Sequence, residues 1–267
     1  MNILIPMAGD GSRFSEKGYV LHKPILPLTS RHNHQIVPLV VAAVHDLPVD
    51  IEREDVNLLF IIRDFHVNDG IDQELLAYFP RAKFIAIDAL SSGQASTCLH
   101  AREDFDTNTP LMIAACDNGM DMPQTIFESR SQDAKALIFT FRGNDAVLSK
   151  PEAYGWVQTL GEVVTSVSIK QPISTTPVED HAVVGTFWFQ SGRDFFAAAD
   201  KMIAANDQIN GEFYVDQVFK YLLNLGCDVH VLEVDRYLCW GTPEEYESYE
   251  ATLAYWMSFI SKEEWVN

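Results

Sequence analysis

Positive charge is scarce in this chain: 19 Lys and Arg stand against 38 Asp and Glu, a formal net charge of −19 over 267 residues. Such a field repels a nucleic-acid backbone and an anionic membrane surface, so neither is expected as a partner. It leaves room for a small anion, because a few local cations and backbone N–H groups outweigh a distant field. Cysteine is scarce too. Cys98, Cys116, Cys227 and Cys239 form no CxxC pair, and three of them sit in or beside apolar runs. Free thiols in a reducing compartment fit that pattern better than a disulfide framework or a zinc site. No stretch reaches the roughly 18–20 apolar residues of a membrane span. The opening MNILIPMAG has neither the basic leader nor the apolar length of a signal peptide. A cytoplasmic location is therefore expected. Internal repeats, low-complexity tracts and extended linkers are lacking as well.

What is present is an ordinary globular composition, 47% hydrophobic and 21% charged, in a chain long enough for a sizeable core. Apolar segments NILIPM (2–7), LLFIIR (58–63), KFIAI (83–87) and LMIAAC (111–116) alternate with helical spacing at 36–47, 70–79 and 94–103. That alternation predicts a Rossmann-like α/β fold, a mostly parallel mixed sheet with helices on both faces. Pro38 is tolerable in the first turn of its helix. The second half offers strands at 135–142, 154–159, 164–170 and 182–189 and helices at 192–206 and 214–226. A strand at 229–234 and a helix at 244–260 close the chain. One fused domain over 1–267 is expected, its second half completing a cleft over the first.

In an open parallel sheet, ligands gather beyond the carboxyl ends of the strands. Three polar clusters fall there: MAGDGSRF (7–14), SSGQAS (91–96) and CDNGMD (116–121). Gly9 and Gly11 permit positive φ or close approach, and the successive N–H groups from Ala8 to Ser12 can face phosphate oxygens. The spacing matches neither GxxxxGKS/T nor GxGxxG. Arg13 and Lys23, the latter opening KPILPL (23–28), supply cations suited to a pentacoordinate phosphorus and a leaving pyrophosphate. A solvated surface charge is the plainer alternative for either. Asp117 follows five apolar residues, an uncommon place for an idle carboxylate, with capping of the MPQTIF segment as its alternative role.

Taken in order, MAGDGSRF with KPILPL, SGQAST (92–97), CDN (116–118), EAYGWV (152–157), SIKQP (168–172), VVGTFWF (183–189), GEFYVDQVFKYLLNLG and CWGTPEEYESY resemble the motifs of the sugar-phosphate nucleotidylyltransferases. These are the pyrophosphorylases that make nucleotide-activated sugars. The resemblance implies a Mg2+-dependent reaction of a nucleoside triphosphate with a sugar 1-phosphate, or a similar phosphate monoester. It implies a nucleotide-binding half at 1–120 and a sugar-phosphate-binding half at 121–267 ending in the C-terminal helix. Ala8, Gly9, Gly11 and Ser12 would wrap the triphosphate, Arg13 would hold its β and γ groups, and Lys23 would neutralise the α-phosphate. Gln94, with Gly93, would face the nucleobase, and Asp117 would coordinate magnesium. Gly155 would let the sugar lie against the backbone, Lys170 would bind its phosphate and Glu212 would hold its hydroxyls. Arg13, Lys23, Asp117 and Lys170 are thus the implied catalytic set. General chemistry agrees: a phosphate monoester is already a competent nucleophile, so the work is positioning and charge neutralisation. Magnesium takes hard carboxylate oxygens and shares its shell with phosphates.

The departures matter. Many relatives of this kind carry a second metal carboxylate in a W-x-D-x-G-T setting, where this chain has Cys239 and Trp240. A thiol is a poor magnesium ligand. Asp216 or Asp235 would then substitute, Asp216 with the edge, or one carboxylate plus the triphosphate holds the metal. His22 replaces a common proline before Lys23, and TSRHNHQ (29–35) replaces a short glycine turn. Both mark a divergent branch of the surface-glycan type. His22, His32 and His34 form either a metal site or, more plainly, part of a flexible surface loop. Three alternatives stay open. One is a cytidylyltransferase for phosphocholine or a polyol phosphate. Another is a glycosyltransferase on the same fold, although Asp117 and Asp121 miss the DxD spacing. The third is a catalytically silent nucleotide-binding homologue. Tyr246, Tyr249, Tyr255 and Trp256 serve either a homodimer interface or packing within the monomer.

Overall fold

The computed structural model describes residues 1–263, with side chains described through Phe259. The apolar run after Met1 becomes β1 (Asn2–Pro6), buried at every position, and the sheet grows outward from it. The first half continues with β2 (Pro27–Thr29), β3 (Ile36–Pro38), β4 (Asn57–Arg63), β5 (Lys83–Ile87), β6 (Leu111–Ile113) and β7 (Asn118–Asp121). The second half contributes β8 (Ala136–Phe141), β9 (Gly155–Leu160), β10 (Val163–Ile169), β11 (His181–Phe189), β12 (Val229–Glu233) and β13 (Arg236–Cys239). Nine of these strands form one sheet in the order β5-β4-β1-β6-β11-β8-β12-β10-β9. From β5 to β6 every pairing is parallel, as apolar strands covered on both faces predict. β11 then runs antiparallel to β6 and β8, β12 is parallel to β8, and β10 and β9 close the edge antiparallel. The sheet is mixed, and its parallel character belongs chiefly to the first half.

The helices are α1 (Ser12–Glu16), α2 (Leu39–His45), α3 (Asp64–Asn68), α4 (Ile71–Leu76), α5 (Gln94–Leu99) and α6 (Gln124–Asp133) in the first half. The second half adds α7 (Ala146–Ser149), α8 (Gly192–Ala204), α9 (Val215–Asn224) and α10 (Pro243–Glu263). Side chains alternate along each strand, so β1 sends Ile3 and Ile5 into one core and Leu4 into the other. The first core lies under α2 and the start of α10; the second lies under α5, α8 and α9. The stripe Val215, Val218, Phe219 and Leu222 on α9 is buried, as its helical spacing requires. No helix among the described residues is long and apolar enough to cross a membrane.

Three short elements differ from the sequence expectation. Residues 36–47 are not one helix: Ile36–Pro38 pairs antiparallel with Pro27–Thr29 before α2 begins at Leu39. Pro38 stands just ahead of the helix in an extended conformation, φ −54° and ψ 140°. Asn118–Asp121 pairs with Arg236–Cys239 in a second two-stranded ribbon. The 30–35 turn is not loose either. Arg31 reaches Asp46 at 3.1 Å and the Met120 carbonyl at 2.9 Å, and His32 meets Asp46 at 2.7 Å.

Helix α10 closes over this first-half edge. The Tyr246 hydroxyl donates to the Pro27 carbonyl at 2.5 Å and the Tyr249 hydroxyl to the Thr29 carbonyl at 2.9 Å. Glu250 accepts from the Thr29 N–H at 2.6 Å and from its hydroxyl at 2.7 Å. Lys17 pairs with Glu244 at 2.8 Å, and the Tyr19 hydroxyl donates to Glu247 at 2.8 Å. Tyr246 and Tyr249 therefore serve packing within the monomer, whereas Tyr255 and Trp256 stay exposed at 62% and 53%. Replacing Glu250 by alanine strips both acceptors from Thr29 and leaves a part-buried N–H without a partner. The variant is expected to lose about 1–3 kcal/mol of stability in urea unfolding, and a change within 0.5 kcal/mol of zero, roughly that of a surface substitution, would refute this role for α10.

Candidate active site

The chain leaves β1 for β4 and β5 on one side and returns to β6 on the other. The crevice beyond the carboxyl ends of β1 and β6 is thus the place where an open α/β sheet receives ligands. The loop after β1 lines it. Gly11 adopts a left-handed conformation, φ 61°, immediately before α1, and a Cβ on Gly9 would meet nothing within 4 Å. The N–H groups of Ala8, Gly9, Asp10 and Gly11 find no acceptor among the described residues. Consecutive free donors of this kind make an anion-binding concavity. They border a cavity of about 620 Å³ whose wall also includes Ser12, Lys23, Gly93, Gln94 and Glu212.

A second cavity of about 1040 Å³ adjoins it, with Arg13, Tyr154, Gly155, Tyr214 and Asp216 among its walls. Gln94, Ala115 and Asp117 line both. Asp117 is therefore on the shared wall. Its Oδ2 accepts from Lys23 Nζ at 2.5 Å, and the same ammonium donates to the Gly241 carbonyl at 3.2 Å. Burial opposes the Lys23 charge most strongly of any single influence, yet the Asp117 carboxylate together with Cys116 and Cys239 holds the lysine pKa above its ordinary value. Arg13 is exposed and has no ion-pair partner among the described residues.

The donor set limits what metal could sit here. Burial pushes the Cys116 and Cys239 thiols up to about 12, and soft sulfur is in any case a poor partner for magnesium. Among the described residues no group of three or more His, Cys, Asp or Glu could hold a metal ion. Asp117 Oδ1 is one hard oxygen with no hydrogen-bond partner among the described residues. That fits magnesium taking most of its shell from phosphates and water, and no protein cage. Asp235 is exposed and lies outside both cavities. Asp121 is held by Arg31, with Arg236 at 3.5 Å. The histidines form no metal-holding group among the described residues: His22 pairs with Asp69 at 2.7 Å and His32 with Asp46 at 2.7 Å.

Tyr154, Gly155, Tyr214 and Asp216 line the larger cavity, Gly93 and Glu212 the smaller one, and Lys170 contacts the Tyr214 ring without lining either. Lys170 takes φ 56°, rare for a residue with a side chain, and its N–H donates to the Tyr154 carbonyl at 3.0 Å. Its ammonium lies 5.1 Å from the Tyr214 ring centre, with no carboxylate at ion-pair distance among the described residues. The Tyr214 hydroxyl donates to Glu212, which faces the smaller cavity. Asp216 is buried, and its Oδ1 has no partner. Burial pushes this carboxyl up to about 6, partly offset by the Gln217 N–H and by Lys170. A Cβ on Gly155 would fall 2.1 Å from Asp216 Oδ2, so the close approach this glycine permits is by that carboxylate. Gly93, φ 105°, is required by packing, since a Cβ would fall 2.6 Å from the Phe213 nitrogen. Sequence reasoning did not find Tyr214, because a lone tyrosine ahead of a helix carries no local signal.

No protein-family model matches the sequence, and no curated protein matches it either. Solved structures do match in fold. The nucleoside-diphosphate-sugar pyrophosphorylase from Vibrio cholerae RC9 aligns over 93% of this chain and 99% of its own, at 21% identity and a TM-score of 0.76. A Bacillus anthracis protein, provisionally assigned as a glucose-1-phosphate thymidylyltransferase and crystallised with sucrose, aligns over 94% of each chain at 19% identity and a TM-score of 0.70. The inositol-1-phosphate CTP transferase from T. maritima aligns over 93% of each at 10% identity and a TM-score of 0.66. The chain has the fold of these proteins, and the mixed α/β sheet expected from its sequence is theirs.

The raised Asp216 pKa has a consequence for stability. Its folded value of about 6 lies above the ordinary 3.8, so between those values the native state binds the proton more tightly than the unfolded chain. Stability therefore falls as pH rises through that window and levels off above it. Asp216→Asn removes the fall. Relative to wild type, the variant is expected to gain on the order of 2–3 kcal/mol at pH 8 compared with pH 4. Urea unfolding at both pH values checks this, and a difference independent of pH would show that the carboxyl is not buried as described.

Proposed function

We propose that the chain is a nucleotidylyltransferase that joins a nucleoside triphosphate to a sugar 1-phosphate or similar phosphate monoester and releases pyrophosphate. The observation that carries this reading is the shared wall: the Lys23–Asp117 pair stands where a cavity bordered by free backbone donors meets a second, larger one. A two-substrate phosphoryl reaction needs that juxtaposition. The triphosphate occupies the glycine-loop cavity, with Ala8, Gly9, Gly11 and Ser12 around its phosphates and Gly93 and Gln94 at the base. The monoester enters the larger cavity, its phosphate drawn by the unpaired Lys170 ammonium. Its oxygen attacks the α-phosphorus in line, the bond from that phosphorus to the bridging oxygen of the β-phosphate breaks, and pyrophosphate leaves. No general base is needed, because the monoester is already anionic near neutral pH. Lys23 neutralises the α-phosphate, and Arg13 takes the charge that builds on the leaving group. Asp117 would hold a magnesium ion, which would supply additional neutralisation of the phosphates. Glu212 holds Tyr214 beneath Lys170 through its hydrogen bond.

Two features weigh against the rival readings. A DxD-type glycosyltransferase would need a second free carboxylate near Asp117, yet Asp121 is engaged by Arg31. A silent homologue would have no need of Arg13 and Lys170 without ion-pair partners beside the cavities. The free thiols of the four cysteines suit a reducing, cytoplasmic setting, where nucleoside triphosphates are made. The fold shared with an inositol-1-phosphate CTP transferase keeps CTP and polyol phosphates within the candidate set.

The test is calorimetric titration with ATP, CTP, GTP, UTP and dTTP, with magnesium present, on wild type, Lys23→Ala and Arg13→Ala. One triphosphate is expected to bind, and each substitution is expected to weaken it by about 10–100-fold, roughly 1.4–2.7 kcal/mol. Arg13→Ala guards against loss of fold, since an exposed, unpaired side chain contributes little to stability. Failure of all five to bind the folded protein would overturn the proposal.

A further inference from the structure

We propose that Arg63 is a positioning residue for the triphosphate: by pairing with Asp10 it keeps that carboxylate from filling the glycine loop's own anion-binding concavity. This rests on the reading of the loop as the triphosphate site and adds the contact that keeps the site free.

The loop carries its own competitor. Asp10 lies between Gly9 and Gly11, lines the smaller cavity and has a side chain 62% exposed. An aspartate readily turns back to accept from the backbone N–H two residues further on. Here that N–H belongs to Ser12, at the start of α1, and the N–H groups from Ala8 to Gly11 lie beside it without acceptors. A carboxylate is the kind of anion such a concavity takes. Steric walls do not prevent the collapse: a Cβ on Gly9 would meet nothing within 4 Å, and one on Gly11 only the Lys23 Cβ at 3.6 Å. Yet α1 has no side-chain cap. The Asp10 carboxylate is held elsewhere.

Arg63 supplies the reason. β4 runs parallel to β1, with Ile61 opposite Pro6 and the Met7 N–H donating to the Ile61 carbonyl at 2.9 Å. That register brings Arg63, the last residue of β4, alongside the loop that continues β1. Its Nη1 lies 3.8 Å from Asp10 Oδ1, and no other carboxylate is at ion-pair distance from it among the described residues. The Phe65 ring, with its centre 5.4 Å from Cζ, gives the guanidinium a second contact. The Arg63 side chain is only 15% exposed, and its Nε is buried without a hydrogen-bond partner. A cation so short of water and acceptors draws the one carboxylate within reach. Arg63 lines neither of the two cavities, so it acts on the ligand through Asp10 and not by touching a phosphate.

The experiment is a double-mutant cycle on the full chain: wild type, Arg63→Met, Asp10→Asn and the double variant. Each is titrated with inorganic tripolyphosphate and with the five nucleoside triphosphates, magnesium present. Arg63→Met is expected to weaken binding about five-fold or more, because Asp10 then occupies the loop. In the Asp10→Asn background the same substitution should cost less than about two-fold, since the competing charge is gone. Asp10→Asn alone should bind more tightly than wild type, because a neutral amide competes poorly and repels nothing. Equal losses in both backgrounds are what a merely structural role for Arg63 gives, and they overturn the proposal. So does unchanged affinity in Arg63→Met, or affinity no higher than wild type in Asp10→Asn. Arg63→Gln is made alongside as a second neutral variant, and melting temperatures identify the folded ones. The base-free probe separates the two levels. Coupling seen with tripolyphosphate, while no nucleoside triphosphate binds, sinks the enzymatic reading and leaves Arg63 its role. Nucleotide binding with equal losses in both backgrounds sinks the Arg63 role alone, and failure of both probes to bind wild type sinks both.

Discussion

The ion pair between Lys23 and Asp117 joins parts of the chain that the sequence keeps far apart. Lys23 follows the glycine loop, Asp117 ends the passage out of β6, and the Gly241 carbonyl that shares the ammonium precedes α10. Three segments meet at one nitrogen. A part-buried cation is tolerable only where an opposite charge and hydrogen-bond acceptors replace the water it has lost. Asp117 and Gly241 meet that condition, so the demand for neutralisation places the loop, the strand end and the closing helix in one register. The two cavities share a wall because of it.

The closing helix then acts as the outer frame. Its contacts to Pro27, Thr29, Lys17 and Tyr19 all fall on the segment that carries Arg13 and Lys23. The packed rings of Phe14, Tyr19 and Tyr246, with centroids 5.2–6.1 Å apart, fill the space beneath. A loop with free backbone donors must be held open against collapse, and it is held by side chains of which Tyr19 also lines the smaller cavity and Lys17 and Glu244 the larger. Asp216 and Gly155 show a similar division on the other side: the glycine makes the space, and the carboxylate fills it with its buried Oδ1 left without a hydrogen-bond partner.

Much of the fold was legible in advance, and the reason is periodicity. The buried strands β1 and β4 and the stripe on α9 repeat an apolar pattern that a single segment carries by itself. The misses were short. β2 and β3 have three residues each and β7 and β13 have four, too few for alternation to register. Each ribbon pairs segments whose partnership is set by the neighbouring packing, as with Arg31 drawing the 30–35 turn onto Asp46 and Met120. The site was legible in part. The glycine loop and Asp117 stand out as polar residues following apolar strands, and Lys23 as a cation shortly after that loop.

What the sequence by itself determined was composition-level chemistry and local pattern: an acidic α/β chain with free thiols, a parallel first half, and phosphate-suited residues after its strands. These follow from charge count and residue periodicity, which need no knowledge of contacts between distant segments. Only the tertiary structure decided that Gly93 is small because Phe213 crosses it, and that Gly155 is small because Asp216 does. It likewise decided that Lys170 rests on Tyr214, 44 positions along the chain. Steric exclusion and the pairing of buried charges act between residues remote in sequence, and the folded chain alone brings them together.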